Sequence, residues 1–167
     1  MQGWPGALGL CGLLSWPVWG ATTNTFQVNA QVVAGCLVLG GASAYGVLDF
    51  GTRSALSNTP AGTSLGGTTV TFQCTPGVVM SMSMSVDGGQ NTANGTRNLK
   101  RTTGAERVAY QLYQDAAFSQ GLGIGQGTTV SYGDPTAIKL PVYARAQLAG
   151  NVPAGTYTDV LQVTVSW

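Results

Sequence analysis

The 167-residue sequence contains no histidine at all. Without an imidazole there is no Ser-His-Asp triad, no Cys-His dyad and no histidine general base. The six acidic residues are scattered along the chain and show no paired-carboxylate spacing, although such a pair can also assemble from distant segments. The sequence therefore predicts no catalytic, cofactor-binding or metal site, and an enzyme is the least favoured of the hypotheses weighed below.

Charged residues are also scarce. They make up 8% of the chain, against about 25% in typical soluble domains. A surface built from Ser, Thr, Asn, Gln and Gly suits a packed assembly better than a charge-stabilised solution. The net charge of +1 gives no electrostatic case for nucleic acid as a partner. The one basic cluster, Arg97, Lys100 and Arg101, is predicted to lie in a solvated loop.

The first twenty residues form an uncharged segment that is apolar between positions 7 and 16. It is shorter than the roughly 20 apolar residues that span a bilayer and fits the apolar region of a secretory signal, with cleavage after Gly20. A buried N-terminal helix is the alternative, but the glycines and prolines of this segment disfavour it. We predict that residues 1–20 are a signal peptide and that the protein is exported.

The cysteine count agrees with export. Removing the signal peptide removes Cys11 and leaves only Cys36 and Cys74. A cysteine pair in an exported single domain predicts one disulfide, worth about 3–4.7 kcal/mol on the chain-entropy model. The alternative, a two-cysteine metal site, would need histidine or further cysteines.

The mature chain shows the pattern of an all-β sandwich or barrel, because short β-branched runs alternate with glycine-rich turns. In the Met80-to-Val86 run, methionines and serines alternate, which favours a strand with buried thioethers over a soft copper site. The last strand places one set of apolar residues on a shared face: Tyr157, Leu161, Val163, Val165 and Trp167. The predicted strands are residues 25–33, 46–51, 68–75, 78–86, 107–114, 128–132, 138–147 and 156–166.

Residues 23–32, TNTFQVNAQV, alternate apolar and polar side chains near the start of the mature chain. This period of two predicts a strand with one buried face. In most β proteins such a strand pairs within its own domain. Its apolar positions are Phe26, Val28, Ala30 and Val32.

A series of motifs in a fixed order carries a family resemblance along nearly the whole mature chain. The motifs are Cys36 after the first strand, Leu48-Asp49-Phe50-Gly51, Thr71-Phe72-Gln73-Cys74, Val86-Asp87-Gly88-Gly89, Arg97, Tyr110-Gln111-Leu112-Tyr113, and Pro153 to Asp159 followed by Val163-Thr164-Val165. In these respects the chain resembles the spore coat protein U domain, the pilin domain of archaic chaperone–usher fimbriae. It departs from the family at Phe118 to Gly121, where members often carry Trp-Gly.

The resemblance implies an incomplete immunoglobulin-like β-sandwich that lacks its last strand and is completed by donor-strand complementation. It divides the chain into the signal peptide, an N-terminal donor strand over residues 21–34 and a pilin domain over residues 35–167. Phe26, Val28, Ala30 and Val32 would be the side chains inserted into a neighbour, and the last strand would form the groove edge. Implied partners are identical or related pilin subunits, a periplasmic chaperone and an outer-membrane usher.

The function implied is that of a structural subunit of a surface fimbria, used for adhesion or biofilm. The subunit would be exported, pass through the periplasm and end in an extracellular fimbria on the cell surface. Two alternatives stay open. One is a spore or cell-surface coat protein, and the other is a monomeric extracellular binding module whose first strand completes its own sheet.

Overall fold

A computed structural model describes residues 27–39, 45–65 and 70–167. The chain divides into two compact units, Met1–Val32 and Val33–Trp167. The expected signal peptide and Phe26 lie outside the described residues. In the first unit, residues 27–32 form no strand, and Val28, Ala30 and Val32 are exposed.

The second unit contains only β-strands among its described residues. No helix in the described ranges is long and apolar enough to cross a membrane. The strands are β1 (Cys36–Leu39), β2 (Ala61–Ser64), β3 (Thr71–Cys74), β4 (Met82–Val86), β5 (Arg97–Arg101), β6 (Arg107–Tyr113), β7 (Gly121–Leu122), β8 (Thr128–Val130), β9 (Tyr143–Ala146), β10 (Tyr157–Thr158) and β11 (Val163–Ser166).

These strands form antiparallel sheets packed as a sandwich. The largest sheet has the order β10-β5-β6-β9-β2, with β7 paired to β6. A three-stranded sheet has the order β11-β4-β8, and β1 pairs with β3. Every named strand pair is antiparallel. The all-β sandwich expected from the sequence is therefore confirmed.

The core lies where the alternating strands turn their apolar faces inward. In β4, Met82 and Met84 are buried and the serines between them are not, so the thioethers belong to the core as predicted. In β6, Val108, Tyr110 and Leu112 are buried in the same alternating fashion. β6 and β4 are the middle strands of their sheets. Because their side chains alternate with a period of two, every second residue of each strand points into the interior.

Three strands arise where the sequence predicted turns or loops, namely β2, β5 and β7. Their residues are glycine-rich or polar, and their partners are the central strands β6 and β9. In β2, Gly62 lies under the ring of Phe118, which would be 2.8 Å from any Cβ at that position. Conversely, the segment predicted as a strand over residues 46–51 is irregular.

The predicted C-terminal strand over residues 156–166 is wrong as a single element. Tyr157–Thr158 pairs with β5, whereas Val163–Ser166 pairs with β4 in another sheet. The chain changes sheets at Asp159, whose carboxylate accepts hydrogen bonds from the Tyr110 hydroxyl at 2.7 Å and the Asn91 backbone N–H at 3.1 Å. These buried and half-buried partners fix the crossing point.

A disulfide joins Cys36 to Cys74, which confirms the predicted pairing. The two cysteines lie opposite each other in the β1–β3 register. Beside them, the Gly35 N–H donates to the Thr75 hydroxyl at 3.1 Å, and the Thr75 N–H donates to the Gly35 carbonyl at 3.0 Å. The disulfide and these bonds hold β1 to the rest of the domain.

Replacing both Cys36 and Cys74 with serine should destabilise the domain, because the cross-link no longer limits the conformations of the unfolded chain. The expected loss is about 2–5 kcal/mol in the free energy of unfolding, measured by urea denaturation. Reductant should lower the midpoint of the unmodified chain and leave that of the double variant unchanged. Equal midpoints for the oxidised chain and the variant would contradict a stabilising role.

Candidate functional site

The last strand, β11, lies at the edge of its sheet. It pairs with β4 on one side, and in the part of the chain that the structure describes no strand pairs with its other side. Val163 and Val165 are half-buried, while Thr164 and Ser166 are exposed. An open edge with one apolar face can accept a further strand through its backbone N–H and C=O groups.

A groove of about 820 Å³ runs along this edge. One wall is formed by the C-terminal segment, with Leu161, Val163, Val165 and Trp167. A second wall contains Val38 of β1 and residues of the irregular segment from Tyr45 to Phe50. The two walls are therefore covalently far apart in the chain and are held by different contacts.

The floor of the groove is the sandwich core itself. It includes Val86 from β4, Leu112 from β6 and Phe72 from β3, all of which are buried. Because the groove opens onto the core, an apolar strand laid in it would bury both its own side chains and the groove walls. Such burial contributes about 25 cal/mol for each Å² of apolar surface removed from water.

The structure separates one predicted groove residue from the others. Leu161, Val163, Val165 and Trp167 line the groove beside β11. Tyr157 instead lies in β10 and lines a second groove of about 730 Å³. Its hydroxyl donates to the Pro153 carbonyl at 2.7 Å. The assignment of Tyr157 to the β11 edge is corrected, because the sheet crossing at Asp159 places it on the other layer.

The predicted donor residues are exposed where the structure describes them. Val28 is 80% exposed and Val32 is 94% exposed, which is high for valine side chains. Ala30 is also exposed, and Phe26 lies outside the described residues. The apolar face of this segment is thus available to a partner.

Two carboxylates fix the start of β11 at the groove. Asp159 accepts from the Tyr110 hydroxyl, and burial together with this hydrogen bond raises the pKa of Tyr110. The Asp87 carboxylate accepts from the Gln162 N–H at 2.9 Å, and the Asp87 N–H donates to the Gln162 carbonyl at 3.0 Å. A Cβ at Gly89, which has a φ of +77°, would collide with the Asp159 carboxylate. This tight packing sets the position of the groove wall.

The prediction that Arg97 lies in a solvated loop is wrong, because this residue begins strand β5. It is 4% exposed rather than part of a solvated loop, although Lys100 in the same strand is exposed. Its guanidinium donates to the carbonyls of Asp87 (2.8 Å), Leu122 (2.7 Å), Val86 (2.8 Å) and Gly123 (3.2 Å). Burial lowers the pKa of Arg97. The family resemblance, which includes an arginine here, was the only sequence signal that singled it out.

Arg97 ties the two layers together beside Val86, a residue that lines the groove. It belongs to β5 of the large sheet, and it satisfies carbonyls at the end of β4 in the sheet that carries β11. Four carbonyls held by one planar donor group need the fork geometry of a guanidinium. Across the described ranges, no group of three or more His, Cys, Asp or Glu residues could hold a metal ion.

Substituting Arg97 with methionine should leave several buried carbonyls without donors and lower the free energy of unfolding by about 3 kcal/mol or more. Arg97→Lys should recover only part of this loss, because an ammonium cannot reach all four acceptors. Lys100→Met, on the exposed side of the same strand, is the matched control, with a change within about 0.5 kcal/mol. Equal stability of Arg97→Met and Lys100→Met in chemical denaturation would contradict the bridging role.

Known proteins are similar to this chain in sequence and in fold. Protein U of Myxococcus xanthus is 28% identical over 155 residues, which cover 88% of this chain and 87% of that protein. Two solved structures share features of the fold. The chaperone–tip adhesion subunit pre-assembly complex of CsuC and CsuE, from archaic chaperone–usher Csu pili of Acinetobacter baumannii, matches with 20% identity and a TM-score of 0.47. A chaperone–tip adhesin complex of CFA/I fimbriae biogenesis matches with 14% identity and a TM-score of 0.50.

The solved structures are longer than this protein. The matches cover 81% and 78% of this chain but only 40% and 42% of the solved chains. At 14% identity, the CFA/I match shows a likeness of fold alone. The family evidence is broader, since a model of the Spore Coat Protein U domain matches residues 22–164. The resemblance drawn from the motifs is confirmed, and this protein belongs to the Spore Coat Protein U domain family.

Proposed function

We propose that this protein is an exported structural subunit of a surface fimbria or pilus. Each copy inserts its N-terminal strand, residues 21–34, into the groove along β11 of the next copy. The observation that carries the proposal is the groove itself, an apolar trough of about 820 Å³ beside an edge strand. Membership of a family of structural proteins and the lack of any catalytic constellation in the sequence support a non-enzymatic role.

The inserted segment suits the groove by its pattern. Phe26, Val28, Ala30 and Val32 lie on one face of an extended chain, about 6.6 Å apart in turn. Val163 and Val165 repeat along β11 with the same period, so the side chains of a paired strand would point into the groove. The polar residues between them, such as Gln27 and Asn29, would face solvent.

The mode of assembly follows from the position of the two parts. Strand and groove lie on one chain, so the contact is head-to-tail and does not close, which propagates a filament. A groove open to the core is an aggregation hazard before assembly. We therefore propose a periplasmic chaperone as a temporary occupant and an outer-membrane usher as the exit route. The likeness of fold to a chaperone–tip adhesin complex of CFA/I fimbriae biogenesis supports the chaperone as a partner.

A coat protein of a spore or cell surface is the second candidate, favoured by the description of the family. It would use the same strand exchange in a different assembly. A monomeric binding module, completed by its own first strand, is the third. Adhesion and biofilm formation are proposed roles of the filament.

Deleting residues 21–33 from the mature chain should abolish polymers while leaving the groove able to bind an added peptide of residues 23–34. The physical reason is that the deletion removes the donor and keeps the acceptor. Unheated gels and electron microscopy of both chains provide the measurement. A ladder or thin filaments that vanish on deletion support the fimbrial role. A chain that is monomeric before deletion and unfolds after it would support the self-completed module instead.

Val28→Asp should block polymerisation, because it would bury a charge in the neighbour's groove at a cost of several kcal/mol for each joint. Asn29→Asp is the matched control, since it adds the same charge on the polar face of the same segment. We expect filaments from the control and none from Val28→Asp. The pilin domain should be folded in both variants, as judged by circular dichroism. Normal filaments from Val28→Asp would remove this segment as the donor.

A further inference from the structure

A cluster of exposed apolar side chains lies at the end of the domain where the N-terminal segment joins it. Val79 is 100% exposed, and Val33, Leu37 and Val78 are also exposed. β1 begins at Cys36 opposite Cys74, where β3 ends, so both elements and the turn that follows β3 lie at this same end. Val79 does not line the groove and is not part of the core.

The Val78–Val79 turn is fixed beside the point where the N-terminal segment leaves the domain. Hydrogen bonds between Gly35 and Thr75 hold the chain there, and Pro76 and Gly77 form the turn that leads to Val78. Gly77 adopts a φ of +76°, which favours glycine at this position. The two valines therefore project from an anchored turn.

The link between this end and the proposed donor strand is short. The last inward-facing donor residue is Val32, and Gly35 is already bonded to Thr75. Only Val33 and Ala34 lie between them, so the three steps from Val32 to Gly35 span at most about 10 Å. A neighbour that takes the strand is therefore held close to Gly35 and to the turn that follows Thr75.

The mouth of the groove on that neighbour is also apolar. All the named strand pairs of this fold are antiparallel, and an antiparallel donor would end beside the start of β11. Val160, which comes shortly before β11, lines the groove there, and Val47 is a further lining residue; both are exposed. Residues 75–81 carry no charge, so nothing in the turn repels Asp159 nearby.

We propose that the Val78–Val79 turn of one copy docks against the Val160 end of the groove on the next copy. Each joint of the filament then has a second apolar contact besides the inserted strand, and this contact limits bending at the short link. The inference rests on the proposed strand exchange, and it names a second copy of this chain as the partner of the turn.

Cysteine crosslinking tests the contact directly. Polymers of the mature chain carrying Val79→Cys and Val160→Cys should form covalent chains of subunits on oxidation, visible after boiling without reductant. Val79→Cys with Leu56→Cys is the matched control, because Leu56 is exposed but does not line the groove. Polymers that form normally but give no more crosslinking than the control would overturn the docking proposal.

A second variant separates this contact from the strand exchange. Val79→Asp should make filaments dissociate roughly tenfold faster in denaturant, while binding of the 23–34 peptide to the chain lacking residues 21–33 stays unchanged. Unchanged filament dissociation would overturn the inference. Weakened peptide binding would also overturn it, because the residue would then act on the groove itself. Failure of the unmodified chain to polymerise would instead refute the proposed function.

Discussion

The sandwich core reaches the surface along one side, and the other features of the domain are arranged around that opening. β11 has a paired strand on one edge only within the described chain, and the residues beneath the groove belong to the core. An apolar core exposed to water is costly. The same cost becomes a driving force for association when a second apolar strand is available.

The two walls of the groove are held independently of any occupant. The disulfide and the Thr75–Gly35 bonds fix β1, while Asp87 and Asp159 fix the start of β11. Arg97 joins the two layers by donating hydrogen bonds to four backbone carbonyls. Covalent and charge-assisted contacts of this kind keep the walls in place when no strand occupies the groove. A preformed groove loses less conformational entropy on binding than one that must be ordered.

The sparse charge of the chain fits this organisation. A surface with few like charges opposes the approach of identical copies only weakly. The valines at the β3–β4 turn and at the mouth of the groove would then meet without charged groups between them. In the proposed head-to-tail filament both contacts would repeat at every joint, so small stabilising contributions would act along its whole length.

Local patterns in the sequence were enough to predict some parts of the fold. Alternation identified β4, a short run between turn signals identified β6, the cysteine count identified the disulfide, and ordered motifs identified the family. Tertiary structure decided what depends on long-range pairing. Strands such as β2 and β5 form from turn-like or polar residues because β9 and β6 supply their backbone partners. Tyr157 lies outside the β11 groove because Tyr110 and Asn91 hold Asp159 at the sheet crossing. Arg97 is buried because carbonyls distant in the chain surround its guanidinium. The local pattern of apolar and polar residues could not predict these contacts.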